Sequence, residues 1–188
     1  MMRLLTVALA AGAAFVLLGV AATALYKPNG LEYSELHGSL PQEYETIPEL
    51  SSAADLVIVG RVTAFTTLHE NPRPQIAVLR TVYQVEVREV IRGVVDDSTV
   101  SVTQTGGKDG RMTQEVSDDP LFSLEGEYVL FLKYSPETQR YYTTGGHQGR
   151  LVVEGGQVSS LSTQYPSRNI DDLAIHGMTL DDVRALSR

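Results

Sequence analysis

"TVYQVEVREVIRG", Thr81 to Gly93, decides the fold. Tyr83, Val85 and Val87 fall on one side of a two-residue period and Gln84, Glu86 and Arg88 on the other, the pattern of a strand with one face in a core and one in water. The alternation slips at Val90-Ile91 just before Gly93, and an extra residue there predicts a bulge or a sharp bend at a sheet corner.

The flanking segments extend the pattern. In "ELSSAADLVIVGRV", Leu50 to Ala54 predicts a short helical turn, and Leu56-Val57-Ile58-Val59 a buried strand bounded by Gly60. "STVSVTQTGG" gives a third strand with Val100 and Val102 inward and a stop at Gly106-Gly107. "GGKDGRMTQEVSDDP" reads as a long polar loop. In "GEYVLFLKYS", Tyr128 to Leu132 is continuously apolar but too short for a helix, which predicts a strand covered on both faces at the centre of the core.

"YYTTGGHQGRLVVEGGQV", residues 141–158, poses the question of ligand cradle or turns. Gly155-Gly156 between two apolar runs predicts a hairpin turn with positive φ at both positions, and Gly145-Gly146 has the same character. Gly149 sits where a strand begins, a frequent bulge position. A phosphate cradle needs its glycines to lead into a helix N-terminus, whereas these lead into another strand. Beyond them the period changes: Ile170, Leu173 and Ala174 are followed by Thr179 as an N-cap, with Leu180, Val183 and Leu186 on one helical face. Asp182 occupies the capping-box position three residues after Thr179.

The fold class is therefore all-β: a small β-barrel with a C-terminal hairpin and short helix over 50–188, preceded by an N-terminal hydrophobic helix. That helix comes from residues 1–26, where Arg3 is followed by no charge from Leu4 to Tyr26, the order of an export segment. Two fates fit it. Ala22-Thr23-Ala24 suits signal peptidase, and the length suits a retained membrane anchor with Arg3 inside and Lys27 and Pro28 flanking. Residues 27–49 hold three prolines, two glycines and five glutamates, and read as a polar spacer. Tyr26, Tyr33 and Tyr44 within this region share no helical face.

Composition narrows the classes. The 188 residues contain no cysteine, which removes disulfides, thiolate zinc sites, thiol nucleophiles and a lipoprotein anchor together. Cleavage after Ala24 would leave 14 basic against 23 acidic residues, a formal charge of −9 that repels phosphate backbones and anionic lipid. No nucleic-acid partner is expected, and membrane contact only through residues 4–26 if they are retained.

Catalytic signatures are missing: no G-x-S-x-G elbow, no S-x-x-K set and no Walker loop. His37, His69, His147 and His176 form no HExxH pair. Of the acidic pairs Asp96-Asp97, Asp118-Asp119, Asp171-Asp172 and Asp181-Asp182, none matches a calcium loop. Asp109, Glu115, Asp118 and Asp119 in one polar stretch are the raw material of a calcium cluster, and His147 is the candidate imidazole for metal or catalysis. Arg61, Arg88, Arg92 and Arg150 would make an anion site if they shared a face.

The succession "AADLVIVGRV", "YQVEVREVIRG", "STVSVTQTG" and "GEYVLFLKY", over about Ala53 to Tyr134, resembles the netrin-like modules, including the N-terminal domain of tissue inhibitors of metalloproteinases. That family carries a D-x-V-x-x-x-x-V strand, a strand ending in a basic residue plus glycine, and a G-x-x-Y/F-L strand, the last matched only in part by Gly126-Glu127-Tyr128-Val129-Leu130. The resemblance implies a five-stranded OB-type barrel. It does not carry protease inhibition with it, because those inhibitors chelate zinc through an N-terminal cysteine that this chain lacks. The "ADLV.VG.V" and "GG.QG" stretches also resemble small exported bacterial proteins of unassigned function.

The expected function is a non-catalytic, extracytoplasmic binding or accessory module, secreted or membrane-anchored, needing no cofactor and meeting a protein or envelope component. The alternatives are an extracytoplasmic metal-dependent hydrolase using His147 with the loop carboxylates, and a peptidase inhibitor.

Overall fold

A computed structural model describes residues 22–26, 32–36, 42–73, 76–110, 112–164, 173 and 175–188. The strands are β1 (Ala22–Tyr26), β2 (Glu32–Leu36), β3 (Leu56–Arg73), β4 (Ile76–Arg92), β5 (Thr99–Thr105), β6 (Gly107–Lys108), β7 (Met112–Val116), β8 (Glu127–Ser135), β9 (Arg140–Thr143), β10 (Arg150–Glu154) and β11 (Gln157–Ser159). Short helices are α1 (Ile47–Ala53), α2 (Leu161–Gln164) and α3 (Leu180–Leu186). The protein is mostly β, as the alternating segments predict.

One sheet runs β11-β10-β8-β3-β4-β5-β9, and β9 pairs again with β8, so the pairings from β8 through β3, β4, β5 and β9 return to β8. Neighbours in this cycle are antiparallel except β5 and β9, which meet in parallel at Val102 and Tyr141. A second sheet runs β1-β2-β7-β6.

The bend expected at Val90-Ile91 is a bulge: Val57 pairs with Arg92 and Ile58 with Val90, leaving Ile91 extra. Further register shifts fall at Val59/Gly60 and Val62/Ala64, and each adds the local twist that lets a long hairpin curl. Gly60 does not end its strand. It lies inside β3 because a Cβ there would stand 2.5 Å from Val85 Cγ1, so glycine serves close packing between β3 and β4.

The period of two sorts the core into two layers. Leu56, Ile58, Val85, Val102, Leu130 and Leu132 share one cluster; Val57, Val129, Phe131 and Leu151 point the other way into a second. The continuous apolar run of β8 is thus covered on both faces, as its sequence predicts. The second layer is closed by α1 and α3 through Leu50 and Val183, both fully buried. Thr46 caps α1 by accepting from the Glu49 N–H, and Arg92 donates to the Ser51 and Ala54 carbonyls at its other end.

Three segments differ from the sequence reading. The stretch read as a polar spacer supplies β2, which pairs in parallel with β7 and buries Leu36, and the start of α1. The stretch read as a polar loop supplies β6 and β7, where polarity is used structurally: Gln114 Oε1 accepts the Leu79 N–H at 2.8 Å. Of the N-terminal hydrophobic helix, residues 22–26 form β1 instead, paired with β2, and residues 1–21 lie outside the described residues. Among the described residues no helix is long and apolar enough to cross a membrane. His37, Ile170, Asp171, Asp172 and Ala174 also lie outside them.

Candidate functional site

The register of β3 against β4 places Phe65 opposite Tyr83 and Thr67 opposite Thr81. Residues two apart share a face, so an aromatic row lies beside a hydroxyl row, roughly 7 Å away along the strands. Lys108 of β6, Glu115 of β7 and the segment Pro120 to Leu124 complete the walls of a cleft of about 400 Å³. Phe65 and Leu124 in its lining are 50% and 52% exposed, large apolar side chains left open to solvent. The rings continue inward, with centroids 6.1 Å apart for Phe65 and Tyr83, 4.8 Å for Tyr83 and Phe122, and 5.1 Å for Phe122 and Tyr128.

Gly107 closes tightly over the hydroxyl row: a Cβ there would stand 2.6 Å from Thr81 Oγ1 and 2.7 Å from Thr67 Cγ2. The Thr81 hydroxyl donates to the Gly106 carbonyl, while Thr67 Oγ1 is buried with no hydrogen-bond partner among the described residues.

The wall from Asp119 to Ser123 is held from behind. Gln104 Nε2 donates to the carbonyls of Asp119 at 3.1 Å and Pro120 at 3.0 Å, and the Ser123 N–H donates to Tyr128 Oη. Arg150, 1% exposed at the start of β10, donates through Nη2 to Asp119 Oδ1 at 3.0 Å and to the Pro120 carbonyl. Its guanidinium carbon lies 4.1 Å from the Phe122 ring centre and 5.9 Å from that of Tyr128. Burial pushes the Tyr83 phenol up to about 12 although the Arg150 charge pulls the other way.

The carboxylates and histidine singled out in the sequence separate into four places. His147 is 2% exposed, with Nδ1 3.9 Å from Asp118 Oδ2. Asp119 holds Arg150. Asp109 faces His69 at 3.2 Å and accepts the Met112 N–H, and Glu115 lines the cleft. Among the described residues no three of His, Asp and Glu gather as a metal site. The four arginines part as well. Arg92 caps α1 and Arg150 is in the core, while Arg61 and Arg88 line a hollow that also holds Glu125, Glu127 and Glu154. Arg61 pairs with Glu125 and Arg88 with Glu86.

The glycine-rich stretch packs rather than cradles. Gly155 and Gly156 have φ of 58° and 82°, the hairpin expected between β10 and β11. Gly145-Gly146, expected to make a similar hairpin, leads instead into a 3-10 turn over Gly146–Gly149. This turn buries Gln148, whose amide bonds both the N–H and the carbonyl of Tyr44. Gly149 is required by proximity: a Cβ there would lie 2.3 Å from the Thr144 carbonyl oxygen.

Sequence reasoning missed both Arg150 as a buried clasp and the cleft itself. A lone arginine at a strand start carries no local sign of burial, and the cross-strand meeting of Phe65 with Tyr83 depends on a register set by bulges. The cleft offers the exposed Phe65 ring and Leu124 side chain beside polar groups and one charge of each sign in a concave surface, chemistry suited to holding a small ligand. No family, no curated protein and no solved structure matches the chain.

Proposed function

We propose that the chain is a non-catalytic, exported binding module of the cell envelope, built as a small OB-type barrel, with the cleft between Phe65 and Phe122 as its ligand surface. The cycle of pairings through β3, β4, β5, β9 and β8 supports the barrel reading, since a sheet that returns to its first strand has no free edge within the cycle. Export is supported by Arg3 and the uncharged run to Tyr26. Binding rests on one observation above all: exposed Phe65 and Leu124 line a cleft whose wall is clamped by buried Arg150 and Gln104, a preformed surface rather than a loose loop.

The test has two readings on one sample. Fractionation with intact-mass analysis places the protein in the extracytoplasmic soluble fraction or the membrane fraction, and cosedimentation measures its retention on purified envelope. The reading requires retention that falls in Phe65→Ala while the variant stays folded. Retention untouched by Phe65→Ala, or a cytoplasmic product, contradicts it. Stoichiometric metal in elemental analysis, with His147→Ala abolishing its uptake, would favour the hydrolase alternative.

A further inference from the structure

We infer that the Phe65–Phe122 cleft takes a saccharide, a step that rests on the cleft being the ligand surface. Its floor is divided by chemistry. Phe65 presents a half-exposed ring backed by the buried Tyr83 ring, and the next row is polar, with Thr67 beside Thr81, whose hydroxyl is already bonded to the Gly106 carbonyl. A sugar ring carries the same division, with C–H groups forming an apolar face that packs on an aromatic ring and hydroxyls that donate and accept around its rim.

Thr67 Oγ1 sharpens the choice. It is buried, lines the cleft and lacks a hydrogen-bond partner among the described residues, so a purely apolar occupant would seal it in unsatisfied, whereas a hydroxylated one supplies its partner. Charge argues in the same direction. Lys108 and Glu115 line one cleft with opposite signs, which matches neither a phosphate chain nor a polycation. The volume, about 400 Å³, is at the small-ligand end of binding cavities and limits the occupant to a short unit rather than a long wrapped chain.

The experiment titrates the exported chain, in detergent micelles where its N-terminus is uncut, with an N-acetylglucosamine tetramer and a cellulose tetramer. Indole and the peptide Gly-Phe-Gly are run as separate arms. Binding is followed through the NMR resonances of Phe65, Thr67 and Leu124. The expected result is saturable shifts with at least one tetramer. Phe65→Ala then weakens binding about tenfold. Thr67→Val, which keeps the side-chain shape and removes only the hydroxyl, weakens it roughly two- to tenfold with an unchanged urea midpoint. Shifts with indole or the peptide and none with either sugar would overturn the saccharide assignment while leaving the cleft as the ligand surface. Silence from all four probes, together with envelope retention insensitive to Phe65→Ala, would overturn the assignment and the binding surface together.

Discussion

The guanidinium of Arg150 lies 4.1 Å from the centre of the Phe122 ring while its Nη2 bonds Asp119 Oδ1 at 3.0 Å. One buried cation therefore orders both the ring that walls the cleft and the carboxylate at the base of that wall. Truncation to Arg150→Ala leaves the Asp119 carboxylate and Pro120 carbonyl without this donor, at a cost of roughly 3–5 kcal/mol. Arg150→Met keeps much of the packing and is expected to cost less. Urea denaturation of the two variants checks the order, and equal losses would mean that the charge contributes little.

Alkaline pH should reveal Tyr83. Burial raises its phenol to about 12 from an ordinary value of 10.0. The folded state holds the proton more tightly than the unfolded chain, so this contribution is complete below pH 10 and is lost as pH rises from 10 towards 12. Tyr83→Phe should flatten that limb of a stability-against-pH curve; an unchanged limb would assign it to other groups.

Two glycines separate proximity from backbone conformation. Gly149→Ala drives a Cβ to 2.3 Å from a main-chain oxygen and should cost roughly 1–3 kcal/mol or prevent folding. Gly155→Ala meets nothing within 4 Å and is penalised only by its φ of 58°, about 1–2 kcal/mol. Thermal melts that rank the pair in reverse would contradict the packing described for the 3-10 turn.

The capping box of α3 predicts an acid-sensitive end. Thr179 bonds the Asp182 carboxylate through its hydroxyl and its N–H, holding that carboxyl below its ordinary range. Its contribution is present above the ordinary aspartate pKa and lost as pH falls through the lowered one. Thr179→Ala should remove about 0.5–2 kcal/mol near neutral pH. Hydrogen exchange of the Val183 amide, bonded to the Thr179 carbonyl, reads the loss locally.

Much of the strand pattern was legible in the sequence because burial there follows the period of two. The two-faced burial of β8, the Ile91 bulge, the Gly155-Gly156 hairpin and the Thr179 cap are set by residues close in sequence. β2 and β7 were not legible, since their polar residues are committed by pairing across more than seventy positions, as Glu32 with Met112. The cleft was hidden for the same reason: Phe65 is an ordinary exposed aromatic until β4 brings Tyr83 beside it and Arg150 fixes Phe122 behind.

The most direct test of the account maps amide shift changes when purified, solubilised envelope material is added to the full-length protein. The account predicts changes concentrated at Phe65, Thr67, Thr81, Tyr83 and residues 120–124. Changes concentrated instead at the Arg61–Arg88 hollow or around His147, with the cleft unaffected, would contradict it.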